Sequence, residues 1–254
     1  MPLVTLTTDF GNNSFYVAAL KGGLYKLMST VHVVDLSNSI PPFDISQAAF
    51  LVRNSYPSFP EKTIHLLAVD VDLNLYAQYL LVACKGQYFI GADNGIFSLI
   101  FDEVPEDVYR IKLQEHDLAG THIFVQAAAK LAQNWNPLDL AESGQIKNNK
   151  QNFQPMVDAD SIRGHVVYID HYKNVITNIS NNLFDTIGRG RRFRIRFRRT
   201  EELDRISTNY SAVDAGERLC IFGESGFLEI AMNRGEAAPL LGLRTDSVIV
   251  IEFV

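Results

Sequence analysis

Aspartates at the ends of apolar runs are the first residues of this sequence that could do chemistry. Asp9 follows the first run in TLTTDFG, Asp35 lies in VHVVDLS, Asp70 ends TIHLLAVD, and Asp93 begins the Asp-Asn-Gly of FIGADNG. In an open parallel sheet, ligands bind outside the carboxyl ends of the strands. Carboxylate oxygens gathered there can accept hydrogen bonds from vicinal hydroxyls such as those of a ribose. Each aspartate is equally a good turn or helix-cap residue, so both interpretations stay open for any single one.

The common nucleotide and metal signatures are missing from the sequence. It contains no G-x-G-x-x-G, P-loop or H-E-x-x-H pattern, and no pair of its six histidines has the spacing of metal ligands. We therefore predict no metal site and no resident cofactor. His116 and His122 flank DLAGT, a segment typical of a loop entering a helix, where a general base could lie.

The most basic segment is RGRRFRIRFRR, residues 189–199, in which aromatic and aliphatic residues alternate with arginines. A strand would bury Phe193, Ile195 and Phe197 and expose the arginines between them. Such a strand allows binding of a nucleic acid or an acidic ligand. We favour a solvated outer face of a small barrel, because the net charge is −6 and no RNA-binding aromatic motif is present. Nucleic acid is therefore not an expected partner.

Two domains are expected to position these residues. Strand-like and helix-like segments alternate through residues 1–145, which predicts an α/β domain with a mostly parallel sheet. The Asn- and Gln-rich residues 146–161 read as a linker. Residues 162–254 hold closely spaced strand patterns and no convincing long helix, so they predict a small all-β, barrel-like domain.

Local signals place several elements of the first domain. YVAALKGGLYKLMS carries Val17, Leu20, Leu24 and Leu27 on one helical stripe. DISQAAFLVRNSY begins with Asp44 as a helix cap and has Gln47 at the position that completes a capping box. YLLVACKGQYFIGAD predicts a hairpin that turns at its Lys-Gly pair.

Composition limits the class of protein. An apolar share of 47% and a charged share of 20% are typical of a globular chain that buries a core. No segment approaches the roughly 18 uninterrupted apolar residues of a membrane span, and the first residues do not resemble a signal peptide. We therefore expect a cytoplasmic protein without membrane contacts, with Cys84 and Cys220 as buried free thiols.

Eight segments in order resemble one known family. They are TLTTDFG, YVAALKG, VVDLSNSIPPFDISQAAFLV, FPEKTIHLLAVD, FIGADNGIFS, IFVQAAAKLA, VVYIDHYKNVITNI and SGFLEIAMNRGEAAPLLGL. The chain resembles the S-adenosylmethionine (SAM) hydrolases that form adenosine, also called hydroxide adenosyltransferases, which are related to fluorinase and chlorinase. The resemblance implies hydrolysis of SAM to adenosine and L-methionine by water or hydroxide. It also implies a homotrimer, in which the ligand lies between the N-terminal domain of one subunit and the C-terminal domain of the next.

In the N-terminal domain, the resemblance implies two ligand contacts. Asp9 matches the aspartate that holds the ribose hydroxyls, and Phe43 stands where the family has an aromatic ring against the ligand. Both residue types suit these roles, since a carboxylate accepts two hydroxyl protons and a ring offers a flat apolar face.

The C-terminal domain carries the other implied contacts. Asp170 and Asn174 match residues that contact the amino acid moiety and the adenine, and an asparagine supplies the donor and acceptor that an adenine edge requires. Tyr172 would stack near the base. Ser225 and Asn233 fall in the matching loop and strand.

The catalytic segments depart from the family pattern. Where the hydrolases usually carry VDPGVGTxRR, this chain has VDVDLNLYAQ, which keeps Asp70 and places Ala77 at about the arginine position. Where they carry HGRDIFAPAAA, it has AGTHIFVQAAA. Ala119 then replaces the histidine, Gly120 aligns, and His122 replaces the aspartate.

These departures make Asp70 and His122 the candidate catalytic residues and predict weak or altered turnover. Loss of a general base or positioning group costs about 10² to 10⁴ in rate. His122 lies three residues from the expected base, which on a helix is a rotation of roughly 300°. Asp72 or Tyr76 could replace part of the arginine's role. The alternative is a non-catalytic protein that binds SAM or a nucleoside on the same scaffold.

Overall fold

The computed structural model describes residues 1–71, 77–103, 105, 107–112, 122–134, 136–151, 153–197 and 202–254. Backbone packing divides the chain into two compact units, Met1–Gln151 and Asn152–Val254. Residues 146–161, predicted as a linker, are therefore shared between the two units. In the described part of the chain, no helix is both long and apolar enough to cross a membrane.

The N-terminal unit is built on a seven-stranded sheet in the order β2-β1-β3-β5-β4-β6-β7. Its strands are β1 (Leu3–Thr8), β2 (His32–Ser37), β3 (Ile64–Ala68), β4 (Tyr79–Cys84), β5 (Gln87–Ala92), β6 (Asp107–Ile111) and β7 (Ala141–Ser143). The first four strands of the sheet order are parallel, and β4, β6 and β7 each pair antiparallel with the strand before them in that order. The predicted α/β architecture with a mostly parallel sheet is confirmed.

Helices cover both faces of this sheet. They are α1 (Phe15–Leu27), α2 (Ile45–Ser55), α3 (Ile96–Ile100), α4 (His122–Ala132) and α5 (Pro137–Leu140). On one face, α1 and α4 pack with alternate residues of β1 and β3 around Leu6 and Leu66. On the other face, α2 and α3 pack around Leu67 and Phe89. Because successive side chains of a strand point to opposite faces, a strand buried on both sides is largely apolar, and the polar exceptions here, such as Thr5 and His65, are buried as well.

The local predictions for this unit are mostly confirmed. Asp44 caps α2 by accepting the N–H of Gln47 at 2.9 Å, but the Gln47 amide returns to the Asp44 carboxylate instead of the backbone. The hairpin turns at Lys85 and Gly86, both with positive φ. In α1 the stripe continues to Met28, which is buried, while Leu27 is exposed.

A buried histidine, His65, lies inside the sheet with two side-chain partners. His65 on β3 is fully buried, with Nδ1 2.7 Å from Thr5 Oγ1 and Nε2 2.6 Å from Gln87 Oε1. The Gln87 amide donates to the carbonyls of Tyr56 and Phe59, so its oxygen faces His65. His65 therefore donates from Nε2 and accepts the Thr5 hydroxyl at Nδ1. Burial lowers the pKa of His65, and the hydrogen bond with Gln87 opposes this shift.

The C-terminal unit is an antiparallel, nearly closed, barrel-like sheet, as predicted. Its order is β12-β11-β15-β9-β10-β14-β13, with β8 also paired to β9. Its strands are β8 (Met156–Val157), β9 (Ser161–Ile169), β10 (Val175–Ser180), β11 (Phe193–Arg196), β12 (Glu202–Leu203), β13 (Arg218–Phe222), β14 (Phe227–Met232) and β15 (Val248–Phe253). A bridge between Ile206 and Cys220 joins the chain after β12 to β13 at the opposite end of the order.

Two short α-helices, α6 (Asn181–Gly188) and α7 (Ala237–Leu241), and a 3-10 turn at Tyr210–Ala212 are also found in the described part of this unit. The sequence patterns did not indicate the two-turn α6, although Ser180 caps it by accepting the Leu183 N–H at 3.2 Å.

Phe193–Arg196 of the basic segment form β11, between β12 and β15 in the strand order, and Arg198 and Arg199 lie outside the described residues. Ile195 and Phe197 are buried, and Arg196 pairs with Glu252 at 3.2 Å and with Glu202 at 3.7 Å. Arg191 pairs with Asp160. Part of the positive charge of this segment is therefore neutralised by carboxylates of the same unit.

Candidate functional site

Asp9 connects three segments at the carboxyl ends of β1 and β3. Its carboxylate oxygen Oδ2 accepts the backbone N–H of Phe43 at 3.0 Å and that of Asp70 at 3.2 Å. The backbone N–H of Asp9 donates to the carbonyl oxygen of Ala68 at 3.4 Å. Asp9 is half-buried, and no hydrogen bond to its second oxygen, Oδ1, is found among the described residues. One oxygen thus organises the protein around the ends of β1 and β3.

Both N–H donors belong to residues in the left-handed backbone region. Phe43 has φ 67° and Asp70 has φ 51°. This conformation is disfavoured for residues with a Cβ and persists where the surroundings fix it. The charge of Asp9 strengthens both hydrogen bonds, because donors bind a carboxylate more strongly than a neutral acceptor. Asp9 therefore holds two strained loops in place.

Asn94 holds the other side of Asp70. Its side-chain amide donates to the carbonyl oxygens of Val69 at 3.0 Å and Asp70 at 3.2 Å. Its own oxygen accepts the N–H of Ile96, the first residue of α3, at 3.2 Å. The backbone around Asp70 is consequently tied to β1 through Asp9 and to the loop after β5 through Asn94.

Two of the four aspartates considered from sequence do not join this cluster. Asp35 lies inside β2, not at its end, and pairs with Lys21 at 2.6 Å. Burial alone would raise the pKa of Asp35, but hydrogen bonds from Lys21 and Asn38, together with the Lys21 charge, lower it. Asp93 accepts the N–H groups of Lys147 and Asn148 and so fastens residues 147–148 to the end of β5. Both carboxylates are committed to partners within the protein.

Apolar rings accompany Asp9. Phe43 is 73% exposed, and Phe15, 71% exposed, lies on the first turn of α1. Tyr16 has its ring centroid 4.0 Å from that of Phe15 and 5.6 Å from that of Phe10, the neighbour of Asp9. Aromatic rings therefore belong to residues that adjoin Asp9 in the chain, pack on such a residue, or bond to Asp9 through the backbone.

The other positions predicted to be catalytic differ from the family pattern where the structure describes them. Ala77 packs, half-buried, against the core of the N-terminal unit and carries no charge. His122 begins α4, with Nε2 3.1 Å from the Gln126 amide nitrogen one turn further on. Ala119, Gly120, Asp72, Tyr76 and His116 lie outside the described residues.

In the C-terminal unit, Asp170 and Asn174 form one turn between β9 and β10. The Asp170 carboxylate accepts the Asn174 backbone N–H at 2.7 Å and its side-chain amide at 3.0 Å. Asn174 is buried, and Lys173 between them has φ 65°. The structure brings this predicted pair together, and the Asn174 amide donor is directed to Asp170.

The other residues predicted for this unit are spread more widely. Tyr172 sits at the tip of the same turn and is 75% exposed. Ser225 precedes β14 and accepts the Phe227 N–H at 3.4 Å, whereas Asn233 follows β14 and donates to the Val213 carbonyl at 2.7 Å. A six-residue strand spans about 20 Å, so Ser225 and Asn233 cannot hold the same group of a small ligand. Their ligand roles stay predictions.

A buried acid, Glu229, lies between Ser225 and Asn233 in the chain and was not predicted from the sequence. Glu229 on β14 is 8% exposed and accepts the Tyr210 hydroxyl at 2.9 Å. Burial raises the pKa of the Glu229 carboxyl, and the charges of Asp170 and Glu224 raise it further, against the opposing effect of Tyr210. A Cβ on Gly223 would collide with this carboxylate. The sequence feature that could have indicated this buried acid is a glutamate in the middle of the apolar strand FLEIAM.

Comparison with known proteins finds a matching family model for each of the two units. Residues 4–141 match the family model of the SAM hydroxide adenosyltransferase N-terminal domain, and residues 164–250 match that of the C-terminal domain. The chain belongs to the SAM hydroxide adenosyltransferase family. The resemblance inferred from the eight ordered segments is confirmed.

Relatives of this SAM hydroxide adenosyltransferase family member cover nearly all of its length. It is 26% identical over 265 residues to the (R)-S-adenosyl-L-methionine hydrolase of Methanocaldococcus jannaschii, covering 96% of this chain and 93% of that one. It is 29% identical over 260 residues to the hydrolase of the same name from Thermus thermophilus, covering 95% and 96%. An uncharacterized conserved protein of Thermotoga maritima shares its fold with a TM-score of 0.88 and 25% identity over 98% of this chain and 99% of that one.

Proposed function

We propose that this protein binds SAM and converts it slowly to adenosine and L-methionine with water or hydroxide. The observation that carries the proposal is the Asp9 carboxylate, which uses one oxygen to hold the Phe43 and Asp70 loops and has no partner for the other among the described residues. Membership of the family and the names of the relatives support SAM as the ligand. The ribose hydroxyls would donate to Asp9, and Phe43 would cover an apolar face of the ligand.

The reaction requires few groups from the protein. The oxygen of water attacks C5′ of the ribose, the C5′–S bond breaks, and its electron pair stays on sulfur as the neutral thioether of methionine. The proton of the attacking water passes to a base or to solvent. A sulfonium is already a good leaving group, so orientation and partial desolvation of the water supply most of the remaining acceleration. Asp70, held at the carboxyl end of β3, is the group we assign to orient that water and accept its proton.

Slow turnover follows from the residues at the two altered positions. Ala77 offers no charge where the hydrolases usually have an arginine, and Ala119 offers no base where they have a histidine. Each loss costs about 10² to 10⁴ in rate. The same observation favours the second candidate function, a protein that binds SAM or a nucleoside without turning it over.

Adenosine formation and calorimetry separate the two candidates. The purified protein is incubated with SAM, and adenosine is measured by chromatography beside Asp70→Ala and the surface control Asp35→Asn. The proposal expects adenosine from the parent and from the control, with little from Asp70→Ala. Heat of binding without adenosine supports the non-catalytic candidate, and no heat with SAM, adenosine or methionine contradicts both. A chlorinated nucleoside in the same chromatogram, formed when chloride is added, would identify halide as the nucleophile.

We further propose that the working form is a homotrimer, in which the C-terminal half of each site comes from a neighbouring copy. Exposed rings on both units, Phe43 and Tyr172 among them, support an assembly that covers them. Light scattering after size exclusion should give about 86 kDa, three times the 28.5 kDa chain. A mass of one chain at assay concentration would contradict the shared site.

A further inference from the structure

We propose that Asn94 is a positioning residue for Asp70 and sets the rate of hydrolysis without contacting the substrate. The inference rests on the proposed function, because it assumes that Asp70 orients the reacting water. It extends that function by naming the side chain that keeps this carboxylate in place.

The backbone of Asp70 is held from two directions. Its N–H donates to Asp9 Oδ2 at 3.2 Å, and its carbonyl accepts the Asn94 amide at 3.2 Å. The same amide nitrogen also donates to the carbonyl of Val69 at 3.0 Å. Both peptide groups flanking the Asp70 Cα therefore have a fixed partner.

Asp70 needs this support because of its conformation. With φ 51°, it lies in the left-handed region although it carries a Cβ. A residue with this backbone returns to a more favourable region once its partners are removed, and its side chain then leaves its position. A misplacement of about 1 Å in a catalytic group can lower a rate roughly 100-fold.

An asparagine is the residue type that this position requires. The Asn94 oxygen accepts the N–H of Ile96 at 3.2 Å, which directs the amide nitrogen toward Val69 and Asp70. An aspartate could keep the acceptor but not the donor, and a serine would be too short to reach the two carbonyls while still able to accept a nearby N–H. Substitution by serine thus removes the contact with Asp70 and preserves the start of α3.

The test compares Asn94→Ser with a matched control, Asn54→Ala. Asn54 also donates its amide to a backbone carbonyl, that of Phe50 at 2.7 Å, but on the exposed surface of α2. For Asn94→Ser we expect kcat for adenosine formation to fall about 10- to 100-fold. The calorimetric Kd for SAM should stay within roughly threefold of the parent value, and the control should change neither. An unchanged kcat, or a fall in kcat matched by an equal rise in Kd, would overturn the proposal.

Amide exchange gives a second measurement that does not depend on activity. In Asn94→Ser, the Asp70 amide should exchange at least about tenfold faster, because the loop opens more often. The Gly11 amide, bonded to the Asn38 carbonyl at 2.8 Å after β1, serves as the reference that should not change. If the parent neither binds nor converts SAM, the proposed function fails. Unchanged exchange at Asp70 would instead remove Asn94 as its support, whatever the ligand.

Discussion

Asp9 is expected to hold two loops with one carboxylate oxygen and a ribose hydroxyl with the other, and two substitutions separate these roles. Asp9→Ala removes both oxygens. Asp9→Asn retains one carbonyl oxygen, which can accept the N–H groups of Phe43 and Asp70, but places an NH₂ group where Oδ1 stands. The Asn variant should therefore keep the loops and lose the acceptor for the ligand.

The magnitudes follow from the two hydrogen bonds. A hydrogen bond to a charged group contributes about 1.5–3 kcal/mol, and the two bonds at Oδ2 measure 3.0 and 3.2 Å. Because Asp9 is half-buried and water can replace part of what is lost, we expect Asp9→Ala to lower the free energy of unfolding by about 2–3 kcal/mol. Asp9→Asn keeps neutral versions of both bonds and should cost about 1 kcal/mol. Both variants should bind SAM about 10- to 100-fold more weakly.

Urea unfolding followed by circular dichroism measures the stabilities, and calorimetric titration measures the Kd for SAM. Asp35→Asn is the control, since its carboxylate is paired with Lys21 on the surface and should contribute at most about 1 kcal/mol. Equal destabilisation by Asp9→Ala and Asp9→Asn would refute the role of Oδ2 in holding the loops. Unchanged SAM affinity in Asp9→Asn would refute the ribose contact.

Two further predictions concern the fold. The folded pKa of His65 lies below the unfolded value of 6.5, so the unfolded chain takes up the proton first as the pH falls below about 6.5. The free energy of unfolding should then decrease by up to about 1.4 kcal/mol per pH unit, and urea titrations of His65→Gln at several pH values should lack this part of the slope. In α1, Gly22→Ala adds a Cβ in open space and should raise the free energy of unfolding by about 0.5–1 kcal/mol. Gly23→Ala places its Cβ 3.0 Å from Val125 of α4 and should gain nothing, so equal effects in thermal unfolding would show that the helices are not in close contact.

Elements with strong local signals were predictable from the sequence. The β4–β5 hairpin needs two residues with positive φ, and Lys85-Gly86 supplies a glycine at one of them. The start of α2 is fixed by an aspartate cap three residues before a glutamine. The helix α6 was not predicted because it is only two turns long. Its one sequence indication is the serine cap before Leu183, and serine is also common in turns.

The candidate site was predictable in residue type but not in geometry. Asp9 and Asp70 each follow an apolar run, so their position at the end of a strand could be predicted from the sequence. Asp35 meets the same criterion, yet β2 continues two residues beyond it and Lys21 pairs with it. The partners of Asp9 lie 34 and 61 residues away in the chain. The left-handed backbones at Phe43 and Asp70 could not be predicted either, because neither residue is a glycine, the usual sequence indication of a positive φ. Such long-range contacts depend on the assembled sheet, which local patterns do not encode.

In the proposed reaction, water attacks C5′ of bound SAM at a site organised by Asp9 and Asp70. Mass spectrometry of the adenosine formed in water enriched in heavy oxygen tests it most directly. We predict that the purified parent releases adenosine with the heavy oxygen in its 5′-hydroxyl, and that Asp70→Ala releases far less. Adenosine without the label, or equal labelled adenosine from the parent and Asp70→Ala, would contradict the claim.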